Sequence, residues 1–220
     1  RCSRDWSSDV CSSDLNTAWL GEQIEDRFGS VFGLQPTTDG HQQLSKSEQI
    51  HLVYSHEGRD FGGALETAGG IARALPELAD VFWSMAGDVY APDFVFNQSA
   101  VEGFAASGKL AHLWLVPNPS HHPRGDFGLQ HVDTHGIGLC VDPPQDSPAP
   151  RFTFSTFALY RRALFQSPWC DIPPGNPMGV KAALAPLLRK AMAQGQVSAA
   201  LYTGRWTDVG TPQRLAELNA

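Results

Sequence analysis

Short apolar runs of strand character alternate with amphipathic helical patterns along most of this 220-residue chain, and that alternation constrains its fold more than any other feature. Ile50–Tyr54, Val81–Met85, Leu110–Val116 and the aromatic run Phe152–Tyr160 read as strands. Ala18–Phe28, the stretch from Thr67 through Ile71 and Ala74, Pro92–Ser107, Val180–Gln194 and the segment after Thr211 read as helices, with Thr67 and Thr211 as N-caps. Gln35–Glu48 shows no periodicity and reads as a loop. Between Pro117 and Pro150 the sequence turns rich in proline and glycine, which predicts loops and short strands. Strand–helix alternation of this kind predicts an α/β fold, a Rossmann-like, mostly parallel sheet with helices on both faces.

The first fifteen residues are set apart from this pattern. Asp5–Leu15 matches, codon by codon, the translation of a widely used sequencing adapter, so residues 1–15 are expected to be an artefactual, unstructured leader and 16–220 a partial domain. Without the leader, which holds two arginines and three aspartates, the net charge moves from −7 to −6. That balance disfavours nucleic acid or an anionic membrane as a partner. Cys140 and Cys170, the two cysteines beyond the leader, show no Cys-x-x-Cys spacing, as expected in a reducing cytoplasm. No apolar run approaches the roughly 20 residues that span a bilayer.

Two aspartates stand out chemically. Asp88 in Met85-Ala86-Gly87-Asp88-Val89-Tyr90 and Asp208 in Trp206-Thr207-Asp208-Val209-Gly210 each follow an apolar stretch and precede turn-forming residues. Each carboxylate is thus expected at a strand end, where open α/β sheets bind ligands. Mg²⁺ takes one or two carboxylates and completes its shell with water and phosphate, so this pair would suffice if the fold joins positions 120 residues apart. Leu65–Gly70 opens a helix with small residues whose N–H groups could face a phosphate, ribose or base. Asn118–Phe127 offers amide and carboxylate groups for sugar hydroxyls. The histidines His121, His122, His131 and His135 do not fit a zinc site, because proline and glycine break any helix that would align them. Ser155 lacks a nucleophile elbow, so a hydrolase is disfavoured.

The ordered set Ala18–Glu25, Leu65–Gly70, Gly87-Asp88-Val89, Asn118-Pro119, Gly125-Asp126-Phe127, Leu184–Arg189 and Trp206–Pro212 resembles the sugar-1-phosphate nucleotidylyltransferases, and most closely those that act on N-acetylmuramate α-1-phosphate in cell-wall recycling. The resemblance implies a Mg²⁺-dependent reaction of UTP with a sugar 1-phosphate that releases pyrophosphate. By the same resemblance, Asp88 and Asp208 would bind the metal and carry catalysis. Glu66, Thr67, Ala68, Gly69 and Gly87 would lie at the nucleotide, and Asn118, Gly125, Asp126 and Ser155 at the sugar. Alternatives are a glucose- or mannose-1-phosphate nucleotidylyltransferase and a non-catalytic subunit that binds sugar nucleotide. The sequence departs from the family pattern at Ala86, where asparagine is frequent, at Thr156, where glycine is usual, and at Lys181, which stands in for a lysine expected just before Leu184. Nothing in it matches the family's glycine-rich loop with its arginine and following Lys-Pro, so little or no transferase activity is expected of the 220 residues as written.

Overall fold

The computed structural model describes residues 2–4, 11–33 and 49–219. In chain order the elements are β1 (Cys2–Arg4), β2 (Cys11–Thr17), α1 (Gly21–Phe28), β3 (Val31–Gly33), β4 (Gln49–His56), α2 (Glu57–Phe61), α3 (Glu66–Ala74), β5 (Val81–Ser84), β6 (Val89–Tyr90), α4 (Gln98–Ser107), β7 (Ala111–Val116), β8 (Gly128–Gln130), β9 (Ile137–Val141), β10 (Thr153–Arg161), α5 (Leu184–Met192), β11 (Val197–Leu201), β12 (Thr207–Asp208) and α6 (Pro212–Leu218). They form two compact units, Arg1–Phe82 with Arg162–Leu187, and Trp83–Arg161 with Leu188–Ala220.

The first unit holds a four-stranded sheet in the order β1-β2-β4-β3. β2 runs parallel to β4, from Cys11 opposite Ile50 to Thr17 opposite His56. Strand structure therefore reaches into the stretch expected to be unstructured, because the edge of β4 offers it a full parallel ladder. Leu65, Ile71 and Leu75 pack with Leu164 and Phe165 as fully buried side chains. α3 runs where the periodicity places it, but Thr67 does not cap it. Leu65 is the N-cap, without a side-chain hydrogen bond of its own, and the buried Glu57 carboxylate accepts the Leu65 N–H at 2.8 Å instead.

The second unit is built on the six-stranded sheet β5-β10-β7-β11-β9-β8. β11 lies parallel to β7, whereas β10 with β7, β11 with β9 and β8 with β9 are antiparallel. The sheet is therefore more mixed than alternation alone predicts. The short strands β8 and β9 come from the proline- and glycine-rich segment, whose brief connection suits antiparallel neighbours. Leu113, Leu115, Phe157, Leu159 and Val197 are buried in this sheet, and Phe94 stacks on Phe157 with ring centroids 4.2 Å apart. Three helices begin later than the sequence pattern suggests. α1 starts at Gly21 rather than Ala18. α4 starts after Asn97, whose side chain accepts the Ala100 N–H at 2.8 Å, so residues from Pro92 onward lead in as loop. α5 starts at Leu184 rather than Val180.

Candidate metal and nucleotide site

Asp88 and Asp208 are brought together by the smallest ladder in the molecule. β5 ends at Ser84, the chain turns at Gly87-Asp88, and β6 then pairs antiparallel with β12, Val89 opposite Asp208 and Tyr90 opposite Thr207. The Val209 N–H donates to the Asp88 carbonyl at 2.7 Å, which continues the ladder past both aspartates. Between the two carboxylates sits Gly210. A Cβ built there would meet Asp88 Oδ2 at 3.2 Å and Asp208 Oδ1 at 3.7 Å, so those oxygens are separated by no more than the sum of the two distances. Any larger side chain at 210 would occupy the space between them.

Two nitrogen-bearing side chains, the Arg214 guanidinium and the His121 imidazole, contact Asp208. Arg214 Nη1 lies 2.6 Å from Asp208 Oδ1, and His121 Nε2 lies 2.7 Å from Asp208 Oδ2. Arg214 is held in the first turn of α6, where Thr211 Oγ1 accepts the Arg214 N–H at 3.2 Å and so caps the helix as its sequence predicts. Among the described residues no group of three or more His, Cys, Asp and Glu side chains is spaced to hold a metal. The two carboxylates are hard oxygen donors of the kind that Mg²⁺ takes alongside water and phosphate oxygens. Neither His121 nor Arg214 was singled out for this site by sequence. In the sequence His121 belongs only to a histidine-rich stretch that does not fit zinc, and the signal for Arg214 is its place three residues after a helix-capping threonine.

The residues expected at the sugar converge in part. Asn118 Nδ2 donates to the Arg151 carbonyl at 2.9 Å, and its Oδ1 accepts from Thr153 at 3.0 Å. Gly125 has φ +62°, and a Cβ there would lie 2.6 Å from Asn118 Oδ1, so only glycine fits. Asp126 accepts the Phe154 N–H at 2.8 Å and faces His122 Nε2 at 3.1 Å. These three residues brace the loop from which His121 reaches Asp208. Ser155 is different. Its side chain is fully buried, its hydroxyl donates to the Trp114 carbonyl at 2.7 Å and accepts the Phe157 N–H at 3.2 Å. Both hydroxyl roles are filled inside the sheet, which corrects the expectation of a sugar contact through that side chain.

The segment expected at the nucleotide, Glu66 to Gly69, lies in the first unit. Glu66 adopts φ +58° at the start of α3, and Glu66 and Thr67 are exposed. Ala68 and Gly69 are buried, and their N–H groups donate to the Ala182 carbonyl at 2.9 and 3.1 Å. Those two donors are therefore committed within the protein, which corrects the reading that they stand free for a phosphate. A Cβ on Gly69 would lie 2.5 Å from the Val180 carbonyl oxygen, so the glycine serves this close approach. Gly87, exposed in the turn before β6, has open space around it.

No protein-family model matches the chain. It is 37% identical over 210 residues to the N-acetylmuramate alpha-1-phosphate uridylyltransferase of Neisseria meningitidis serogroup B, a match that covers 94% of this chain and 76% of that protein. Among solved structures, a protein described as a glucose-1-phosphate thymidylyltransferase from Bacillus anthracis superposes with a TM-score of 0.55 at 17% identity, over 77% of this chain and 64% of that one. A UTP-bound UGPase from Acinetobacter baumannii superposes with a TM-score of 0.56 at 13% identity, over 79% of this chain and 60% of that one. The chain thus spans less than two thirds of the length of either solved neighbour. The chain shares the fold of these solved structures, and its 37% identity to the Neisseria protein places it in the nucleotidyltransferase class. Within that class, the chain belongs to the N-acetylmuramate α-1-phosphate uridylyltransferase family.

Proposed function

We propose that this chain serves Mg²⁺-dependent transfer of a uridylyl group from UTP to a sugar 1-phosphate, N-acetylmuramate 1-phosphate, yielding the UDP-sugar and pyrophosphate in cytoplasmic cell-wall recycling. The observation that carries this reading is the β6–β12 ladder, which gathers Asp88 and Asp208 around Gly210. The relative's name supports the choice of base and sugar. Asp88 and Asp208 would hold the Mg²⁺, which when bound neutralises phosphate charge and aligns the α-phosphorus. Arg214 fixes the rotamer of Asp208 and adds a positive charge beside the incoming phosphates. In the second unit, the braced loop of Asn118, Gly125 and Asp126 is our candidate for the sugar's seat; Glu66 and Thr67, exposed in the first unit, remain candidates for base and ribose contacts by the family resemblance alone. The sugar phosphate oxygen attacks the α-phosphorus as the bond to pyrophosphate breaks, so positioning carries the reaction and no protein nucleophile is required.

The 220 residues contain no counterpart of the glycine-rich loop, and the purified chain is therefore expected to bind nucleotide with little turnover. Calorimetric titration of UTP in the presence of Mg²⁺ tests the site. The wild-type chain is expected to bind UTP only with the cation, and Asp208→Asn or Asp88→Asn to weaken that binding about ten-fold or more. Equal UTP affinity in the folded variants would contradict the reading, and rapid UDP-sugar formation by the 220-residue chain would overturn its expected inactivity.

A further inference from the structure

The strand β10 is irregular where it meets the two aspartate-bearing segments. Its register with β7 shifts between Phe154 and Ala158, and inside that irregularity Thr156 has φ +73°. A β-branched residue is strained in this left-handed region and stays there only when its surroundings hold it. A glycine would sit in the same conformation without strain, but it has no side-chain oxygen. The oxygen is in use: Thr156 Oγ1 accepts the Ala86 N–H at 3.1 Å. One residue earlier, the Ser155 carbonyl accepts the Trp206 Nε1–H at 3.1 Å. Ala86 stands two residues before Asp88, and Trp206 two before Asp208. The bulge therefore grips both aspartate-bearing segments at equivalent points, and it is itself anchored to β7 by the Ser155 hydroxyl on the Trp114 carbonyl, 2.7 Å away.

We propose that the Ser155–Thr156 bulge is a clamp that sets the mutual position of Asp88 and Asp208, with Thr156 a positioning residue acting through the Ala86 N–H. Bulges re-aim local groups in this way beside functional sites, and outer groups that orient metal ligands commonly change metal affinity when removed. As a statement about metal binding, the inference rests on the assignment of Asp88 and Asp208 as ligands. As a statement about local geometry it does not.

The test compares the wild-type 220-residue chain with Thr156→Val, Thr156→Ser, Thr156→Gly and Trp206→Phe. It uses two readouts, amide hydrogen exchange of residues 86–88 and Mn²⁺ affinity followed by electron paramagnetic resonance. Valine keeps the shape and loses the acceptor, so exchange at Ala86 is expected to accelerate and the Mn²⁺ dissociation constant to rise about ten-fold. Serine is expected to restore both. Glycine removes strain and hydroxyl together, so it supplies a variant that lacks the acceptor even if Thr156→Val fails to fold, and Trp206→Phe is expected to weaken Mn²⁺ binding through the Asp208 side. Wild-type exchange at Ala86 in both Thr156→Val and Thr156→Gly would overturn the clamp. Wild-type Mn²⁺ affinity in those variants, alongside its loss in Asp88→Asn, would overturn its role toward the metal. Should Asp88→Asn leave Mn²⁺ binding untouched, the ligand assignment itself fails, and the exchange rates still decide the clamp.

Discussion

His112 shows how a single buried group ties this fold to pH. The imidazole is 7% exposed on β7, with Nδ1 2.9 Å from Ser198 Oγ, and burial pushes its pKa down from 6.5 to about 4. The folded state thus holds the neutral ring, whereas the unfolded chain takes up a proton below pH 6.5. Because the unfolded state binds more protons there, the stability contributed by the neutral ring is fully present above 6.5, falls as the pH drops, and stops falling near 4. The shift corresponds to about 3 kcal/mol. Urea unfolding of the wild-type chain between pH 7 and 4.5 is expected to show this slope, and His112→Gln to flatten it; equal slopes would contradict the assignment. Other residues were less legible. Asp88 and Asp208 announce themselves by the turn residues that follow them. Thr156 and Trp206 do not, because their roles depend on a bulge and an indole hydrogen bond that sequence periodicity does not encode.

At the scale of elements, the local signals that held were those satisfied locally. Thr211 caps α6 as its sequence predicts, because donor and acceptor lie three residues apart. Thr67 fails as a cap because it lies inside the helix, whose first-turn donors at Ala68 and Gly69 are taken by the distant Ala182 carbonyl. The start of α4 is set in the same local manner by Asn97. Asn97→Ala would leave the Ala100 N–H without its acceptor, and a loss of about 1 kcal/mol in urea unfolding is expected. No change would mean that water caps the helix equally well. The ladder that matters most for function, β6 with β12, has two residues in each strand. It is too short for alternation to register, so the sequence shows the aspartates and hides the device that joins them.

For the molecule as a whole, strand–helix alternation predicted the α/β class, and the solved neighbours share that fold at identities of 17% and 13%. Strand directions were harder to foresee. Parallel pairing appears at β2–β4 and β7–β11, but the segment rich in proline and glycine folds back as antiparallel strands, and β10 enters the sheet antiparallel to β7. Directions of this kind follow from which edges are open when each strand arrives, a non-local matter that composition cannot express. Among the described residues no helix is long and apolar enough to cross a membrane.

We propose that one divalent ion is shared by the Asp88 and Asp208 carboxylates. Anomalous diffraction from crystals of the 220-residue chain grown with Mn²⁺ and UTP tests it most directly. A single manganese peak within ordinary coordination distance of an oxygen from each aspartate, about 2.2 Å, is the expected result. A peak bound by neither carboxylate, or two aspartates turned away from an ordered nucleotide, would contradict it.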